Sequence, residues 1–68
     1  MDNTLQYKGY IGSIEFSEED NLFFGKVIGI RSLISYEGRT IFELTNDFHS
    51  AIDHYLATGA AEGSNNPT

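Results

Sequence analysis

The sequence predicts an α+β fold: a three-stranded antiparallel meander with one helix packed on one face. The chain has 68 residues, which suffices for one small domain with one core. Apolar residues alternate with a period of two over 7–37, and then follow helical spacing over 40–57. This change of period after Gly38 separates a sheet-forming part from a helix. We expect a flexible lead-in over 1–6, a single domain over 7–57 and a disordered polar tail over 58–68.

The charge balance and the lack of cysteine exclude several classes of protein. Ten Asp and Glu residues outweigh four Lys and Arg residues, which gives a formal net charge of −6. A protein that binds the phosphate backbone needs clustered cations; those of this chain are dispersed, so we expect no DNA binding. The absence of cysteine rules out disulfides and thiolate nucleophiles. No apolar run approaches the ~20 residues of a membrane span, and the polar start does not resemble a signal peptide; the expected location is therefore the cytoplasm.

Three strands are predicted before the helix. The first covers residues 7–16 and leads through a polar turn over 17–21 into the second, residues 22–28. The third covers residues 33–37. Strand alternation assigns the following residues to the helix-facing side: Tyr10, Gly12, Ile14, Phe16, Phe23, Gly25 and Val27.

Two of these residues, Gly12 and Gly25, are expected to lie near each other. Their strands pair across the turn, and glycines within strands mark places where another part of the chain approaches closely. We expect that neighbour to be the helix.

The helix has the clearest pattern. Thr40 is a suitable N-cap, and Glu43, three residues later, completes a capping box. Phe48 lies in the middle of the apolar stripe and is expected to be fully buried. The stripe comprises Ile41, Leu44, Phe48, Ala51, Ile52, Tyr55 and Leu56.

The opposite face of the sheet is more apolar than contact with water requires. Ile11, Phe24 and Ile28 lie there around Lys26, and a single helix covers only one face. We therefore predict that this face binds a partner protein or a second copy, with the edge strand as a second route. Phe42, on the flank of the helical stripe, is either packed by the chain ends or docks a partner. The predicted interface residues are thus Ile11, Phe24, Lys26, Ile28 and Phe42.

Chemical sites are weakly indicated. His49 and Asp53 are four residues apart on the helix and can touch, but no third ligand lies in register, so a helix-surface pair is the favoured interpretation; His54 points elsewhere. The acidic residues over 18–20 are typical of a solvated hairpin turn. We predict no catalytic residue, no metal site and no cofactor.

Taken together, the segments resemble the HicB family of antitoxins. The order and spacing of the motifs carry the likeness, which covers residues 7–56. It implies a partial RNase H-like fold and the neutralisation, by direct binding, of a small HicA-type mRNA interferase toxin. The motifs are Tyr7-Lys8-Gly9-Tyr10, Gly12 to Asp20, Phe24 to Ile30, Ile34 to Gly38, and a helix with Phe48, Ala51-Ile52-Asp53 and Tyr55-Leu56.

This sequence departs from the family pattern at several positions. Family members usually continue past the helix into a DNA-binding segment, whereas here a polar tail runs to Thr68. Phe42 stands where the family tends to carry a charged residue, and His49 and His54 stand where it tends to carry acidic ones.

Three hypotheses follow. The leading one is a non-enzymatic antitoxin domain that binds a small basic toxin and forms a homodimer. The alternative is a stand-alone homo-oligomeric adaptor without a toxin. The third is a small RNase H-like nuclease, in which Glu15 would be needed for magnesium-dependent cleavage.

Overall fold

The computed structural model describes residues 3–59 and confirms the α+β class. Within these residues, a five-stranded antiparallel sheet carries one helix. The elements are β1 (Thr4–Tyr7), β2 (Tyr10–Ser13), β3 (Glu15–Ser17), β4 (Leu22–Ile28), β5 (Ser35–Gly38) and α1 (Ile41–His54), which continues into a π-helical turn (Tyr55–Gly59). Strands β2 and β3 lie in line along one edge of β4, β5 pairs with its other edge, and β1 pairs with β2.

The sheet has one strand more at its start than the sequence predicted. The lead-in expected over 1–6 was wrong in part, because β1 begins at Thr4. Lys8 and Gly9 have φ of 51° and 85°, so they form a tight two-residue turn that folds β1 back onto β2. Tyr7 therefore pairs with Tyr10 and shares its face, whereas an unbroken strand over 7–16 would have placed it on the opposite one.

Tyr36 explains why the long strand is divided into β2 and β3. Its hydroxyl donates to the Ser13 carbonyl oxygen at 2.8 Å, so that this carbonyl does not serve the ladder with β4. The Lys26 amide donates instead to the Ser13 hydroxyl oxygen at 3.1 Å. The pairing register is the same on both sides of the interruption, since Gly12 faces Val27 and Glu15 faces Phe24.

Gly12 and Gly25 do mark a close approach, but the neighbour differs from the one predicted. A side chain at Gly12 would collide with the hydroxyl of Tyr36, and one at Gly25 would collide with the Ser13 carbonyl oxygen and the Tyr36 ring. The space is thus filled by a tyrosine from β5 rather than by the helix alone. The helix backbone approaches most closely at Gly38, where a side chain would meet the Leu44 amide.

The core lies between the sheet and α1. Phe48, Leu44 and Ile52 are completely buried, which confirms the centre of the predicted stripe; Val27 and Tyr36 complete the core from the sheet. Phe16 was wrongly assigned to the core, because it is 47% exposed and packs mainly on Phe23, with ring centroids 4.9 Å apart. The helix approaches this end of the sheet at Gly38 of β5, whereas Phe16 lies two strands away on β3, across β4.

The helix starts at the predicted N-cap, because the Glu43 amide donates to the Thr40 hydroxyl oxygen at 3.0 Å. The second bond of the predicted capping box differs from the expected one. The Glu43 carboxylate accepts from the Arg39 amide at 2.9 Å, one residue before the N-cap, rather than from the Thr40 amide. The final turn includes Thr58 and Gly59, where the polar tail was expected to begin; the rest of that tail lies outside the described residues.

Candidate interaction surface

The face of the sheet turned away from α1, called here the outer face, brings together four of the five predicted interface residues. Phe24, Lys26 and Ile28 alternate along β4, and Ile11 of β2 pairs directly with Ile28. Ile28 is 50% exposed, Ile11 41% and Phe24 38%. Apolar side chains thus remain open to water on this face.

The two ends of the outer face differ in charge. At one end, called here the apolar end, Ile11 and Ile28 form a cross-strand pair. At the other, called here the acidic end, Phe24 lies between Glu15 of β3 and Glu37 of β5. Lys26 occupies the middle, opposite Ser35.

A groove of about 750 Å³ opens at the acidic end. Its apolar lining comprises Phe16, Leu22, Phe24 and Tyr36. Phe16 and Tyr36 belong to the helix-facing side, so the groove extends beyond the outer face. Three carboxylates from different elements also line it: Asp20, Glu37 and Asp47. Asp47 of α1 accepts a hydrogen bond from the Glu37 amide at 3.0 Å, so the helix side chain reaches the edge of β5. The Asp20 carboxylate accepts from the Ser17 hydroxyl at 3.4 Å across the turn.

Phe42 does not join the outer face. It lies on α1, on the other side of the sheet, and is 74% exposed. Its neighbour Ile41 is also exposed, although the apolar stripe had assigned it to the helix face that packs on the sheet. These two residues form a separate apolar surface at the start of the helix.

A cluster of side chains that sequence reasoning did not assemble ties the β1–β2 turn to the helix. The Tyr7 hydroxyl donates to Asp53 at 3.0 Å, and the Lys8 ammonium donates to the same carboxylate at 2.9 Å. The ring of Tyr7 stacks on His49 with centroids 4.0 Å apart. In place of the expected His49–Asp53 pair, both residues thus contact β1 and its turn. These contacts were not predicted, because the turn at Lys8 and Gly9 was not recognised in the sequence.

The electrostatics of this cluster are those of an exposed ion pair. The hydrogen bond from Lys8, followed by that from Tyr7, lowers the pKa of Asp53. The hydrogen bond to Asp53 and its negative charge raise the pKa of Lys8. Both side chains are about half exposed, so the pair contributes little to stability.

The other polar residues considered from the sequence are spread out. Glu15 lies on the outer face and accepts from the Ser13 hydroxyl at 3.4 Å. Within residues 3–59 the only ion pair is Lys8–Asp53, so Glu15 and Lys26 form no ion pair within the chain. Across the same residues, no group of three or more His, Asp or Glu side chains is placed to hold a metal ion.

Comparison with known proteins yields no match, either to family models, to curated proteins or to solved structures. The likeness to the HicB family therefore stays a prediction from the motifs. Among the described residues, no helix is long and apolar enough to cross a membrane.

Proposed function

We propose that this chain is a HicB-like antitoxin domain, which neutralises a small basic mRNA interferase toxin by direct protein–protein contact in the cytoplasm. The observation that carries the proposal is the outer face. It presents Ile11, Phe24 and Ile28 to water, with carboxylates around the aromatic ring. An apolar patch of this kind, rimmed by polar groups, is typical of a surface that binds a protein.

The net charge supports a basic partner. A chain with a formal net charge of −6 attracts a cationic protein at long range and accelerates its association. Binding to DNA by this chain is not part of the proposal, because its few cations are dispersed. No enzymatic step is assigned to it.

A second copy is the other proposed occupant of the outer face. The Ile11–Ile28 pair of the apolar end is suited to meet the same pair of a second chain across a two-fold axis. The same observation favours the alternative function, a stand-alone homo-oligomeric adaptor, if no toxin exists.

Co-expression with the product of any small basic reading frame found next to the gene for this chain tests the proposal, and the absence of such a reading frame would favour the adaptor. The neighbour alone is expected to arrest growth and cleave mRNA, and this chain is expected to relieve the arrest and co-purify with it. Phe24→Lys should abolish both effects, because it places a cation in the interface. Glu19→Lys, a charge change in the β3–β4 turn, serves as the control. This variant should still relieve the growth arrest and co-purify with the neighbour. A neighbour that neither arrests growth nor co-purifies would favour the adaptor.

A further inference from the structure

The groove at the acidic end combines apolar and anionic surface in a way that the rest of the outer face does not. Its apolar part comprises Phe16 of β3, Leu22 and Phe24 of β4, and Tyr36 of β5. Its three carboxylates come from the β3–β4 turn, from β5 and from α1. Three separate elements thus place negative charge in the groove that the Phe24 ring also lines.

These carboxylates have no cation of their own among the described residues. All four Lys and Arg residues of the chain lie within 3–59, and the single ion pair there joins Lys8 to Asp53. The groove therefore carries negative charge that a partner can neutralise. Complementary charge around an apolar contact specifies the partner and its orientation.

We infer that this groove binds a basic segment of the proposed toxin, with an apolar side chain against Phe24 and Lys or Arg side chains against the three carboxylates. The inference rests on the proposed function and names the part of the chain that takes the partner. The groove is more open than enclosed, which suits a polypeptide segment better than a small molecule, whose sites enclose most of the ligand.

A second copy of this chain fits the groove poorly. It would bring the same carboxylates and only one cation of the outer face, Lys26. Like charges placed opposite each other oppose association. Self-association is therefore assigned to the apolar end, and the basic partner to the acidic end.

A titration of the full chain with a short peptide of alternating lysine and leucine tests the groove without the toxin. Two double variants that remove equal charge form the comparison. D20N/E37Q changes two groove carboxylates, and E18Q/E19Q changes two carboxylates that do not line the groove. We expect D20N/E37Q to weaken peptide binding roughly tenfold and E18Q/E19Q to leave it nearly unchanged. Added salt should weaken the binding of the wild-type chain more than that of D20N/E37Q.

The outcomes separate a specific groove from general charge attraction. Equal weakening by the two double variants would overturn the groove, since binding would then follow net charge alone. Weakening by Phe24→Ser as well as by D20N/E37Q would support it, because both the apolar and the anionic contacts are required. The toxin itself distinguishes this inference from the proposed function. A toxin captured equally well by wild type and D20N/E37Q would refute the groove and leave the antitoxin role intact, whereas no capture by wild type would refute that role.

Discussion

The two faces of the sheet differ in how their side chains are packed. On the helix-covered face, glycines at 12 and 25 leave room for the buried ring of Tyr36, and Phe48 fills the space above them. On the outer face, the same strands present Ile11, Phe24 and Ile28 to water. Adjacent residues of β4 therefore have different roles: Gly25 and Val27 contribute to folding, whereas Phe24, Lys26 and Ile28 are available for association.

The largest difference in stability between the two faces is expected when one phenylalanine on each face is replaced by alanine. Phe48→Ala should lower the free energy of unfolding by about 3–5 kcal/mol, because it leaves a cavity in a fully buried site. Phe24→Ala should cost less than about 1 kcal/mol, since that ring is already partly in water. Urea denaturation followed by circular dichroism measures both. Similar losses of unfolding free energy for the two variants would show that the outer face contributes to the core as much as the helix-covered face does.

A smaller loss is expected from adding one methyl group beneath Tyr36. Gly25→Ala should destabilise the protein by about 1–3 kcal/mol, because the new methyl group meets the Ser13 carbonyl oxygen and the Tyr36 ring. The control is Lys26→Ala, one residue along the same strand but on the outer face, where denaturation should change little. An unaffected Gly25→Ala variant would mean that Tyr36 does not occupy this space.

The sequence could predict that something approaches Gly12 and Gly25, but not what. Two glycines paired within a sheet indicate missing volume, and the helix was the most obvious element to fill it. Tyr36 lies in a short strand whose alternation is too brief to fix its side. Its assignment requires the register that pairs it with Gly25.

The length of a strand also explains why the outer face could be predicted although the position of Tyr36 could not. Residues 22–28 form a long run with regular alternation, so Phe24, Lys26 and Ile28 could be placed on one side. The groove was not predictable, because Asp20, Glu37 and Asp47 come from three elements. The cluster around Asp53 was missed because Lys8 and Gly9 were taken as part of one strand rather than as a turn.

The hydroxyl of Tyr36 should have a smaller effect that depends on pH. Burial raises the pKa of Tyr36 from 10.0 to about 12. The folded protein therefore holds this proton more tightly than the unfolded chain does. The contribution of the protonated hydroxyl to the free energy of unfolding is complete below pH 10.0 and is lost as pH rises through about 12. Tyr36→Phe should cost about 1 kcal/mol at neutral pH, from the lost hydrogen bond to Ser13.

Denaturation of wild type and Tyr36→Phe at several alkaline pH values checks both effects. The wild-type protein should lose its advantage over the variant as the tyrosine ionises in the unfolded chain. A difference between the two proteins that does not change with pH would contradict a buried, hydrogen-bonded hydroxyl.

The most direct test of the division between the faces is the mass of the protein in solution, measured by sedimentation equilibrium at tens of micromolar. The wild-type chain is expected to have the mass of a dimer. Ile28→Lys should convert it to a monomer that keeps its helical circular dichroism signal, because Ile28 contributes to the outer face and not to the core. Phe24→Lys, at the acidic end, should leave the dimer intact. A wild-type monomer, or a dimer that survives Ile28→Lys, would contradict the account.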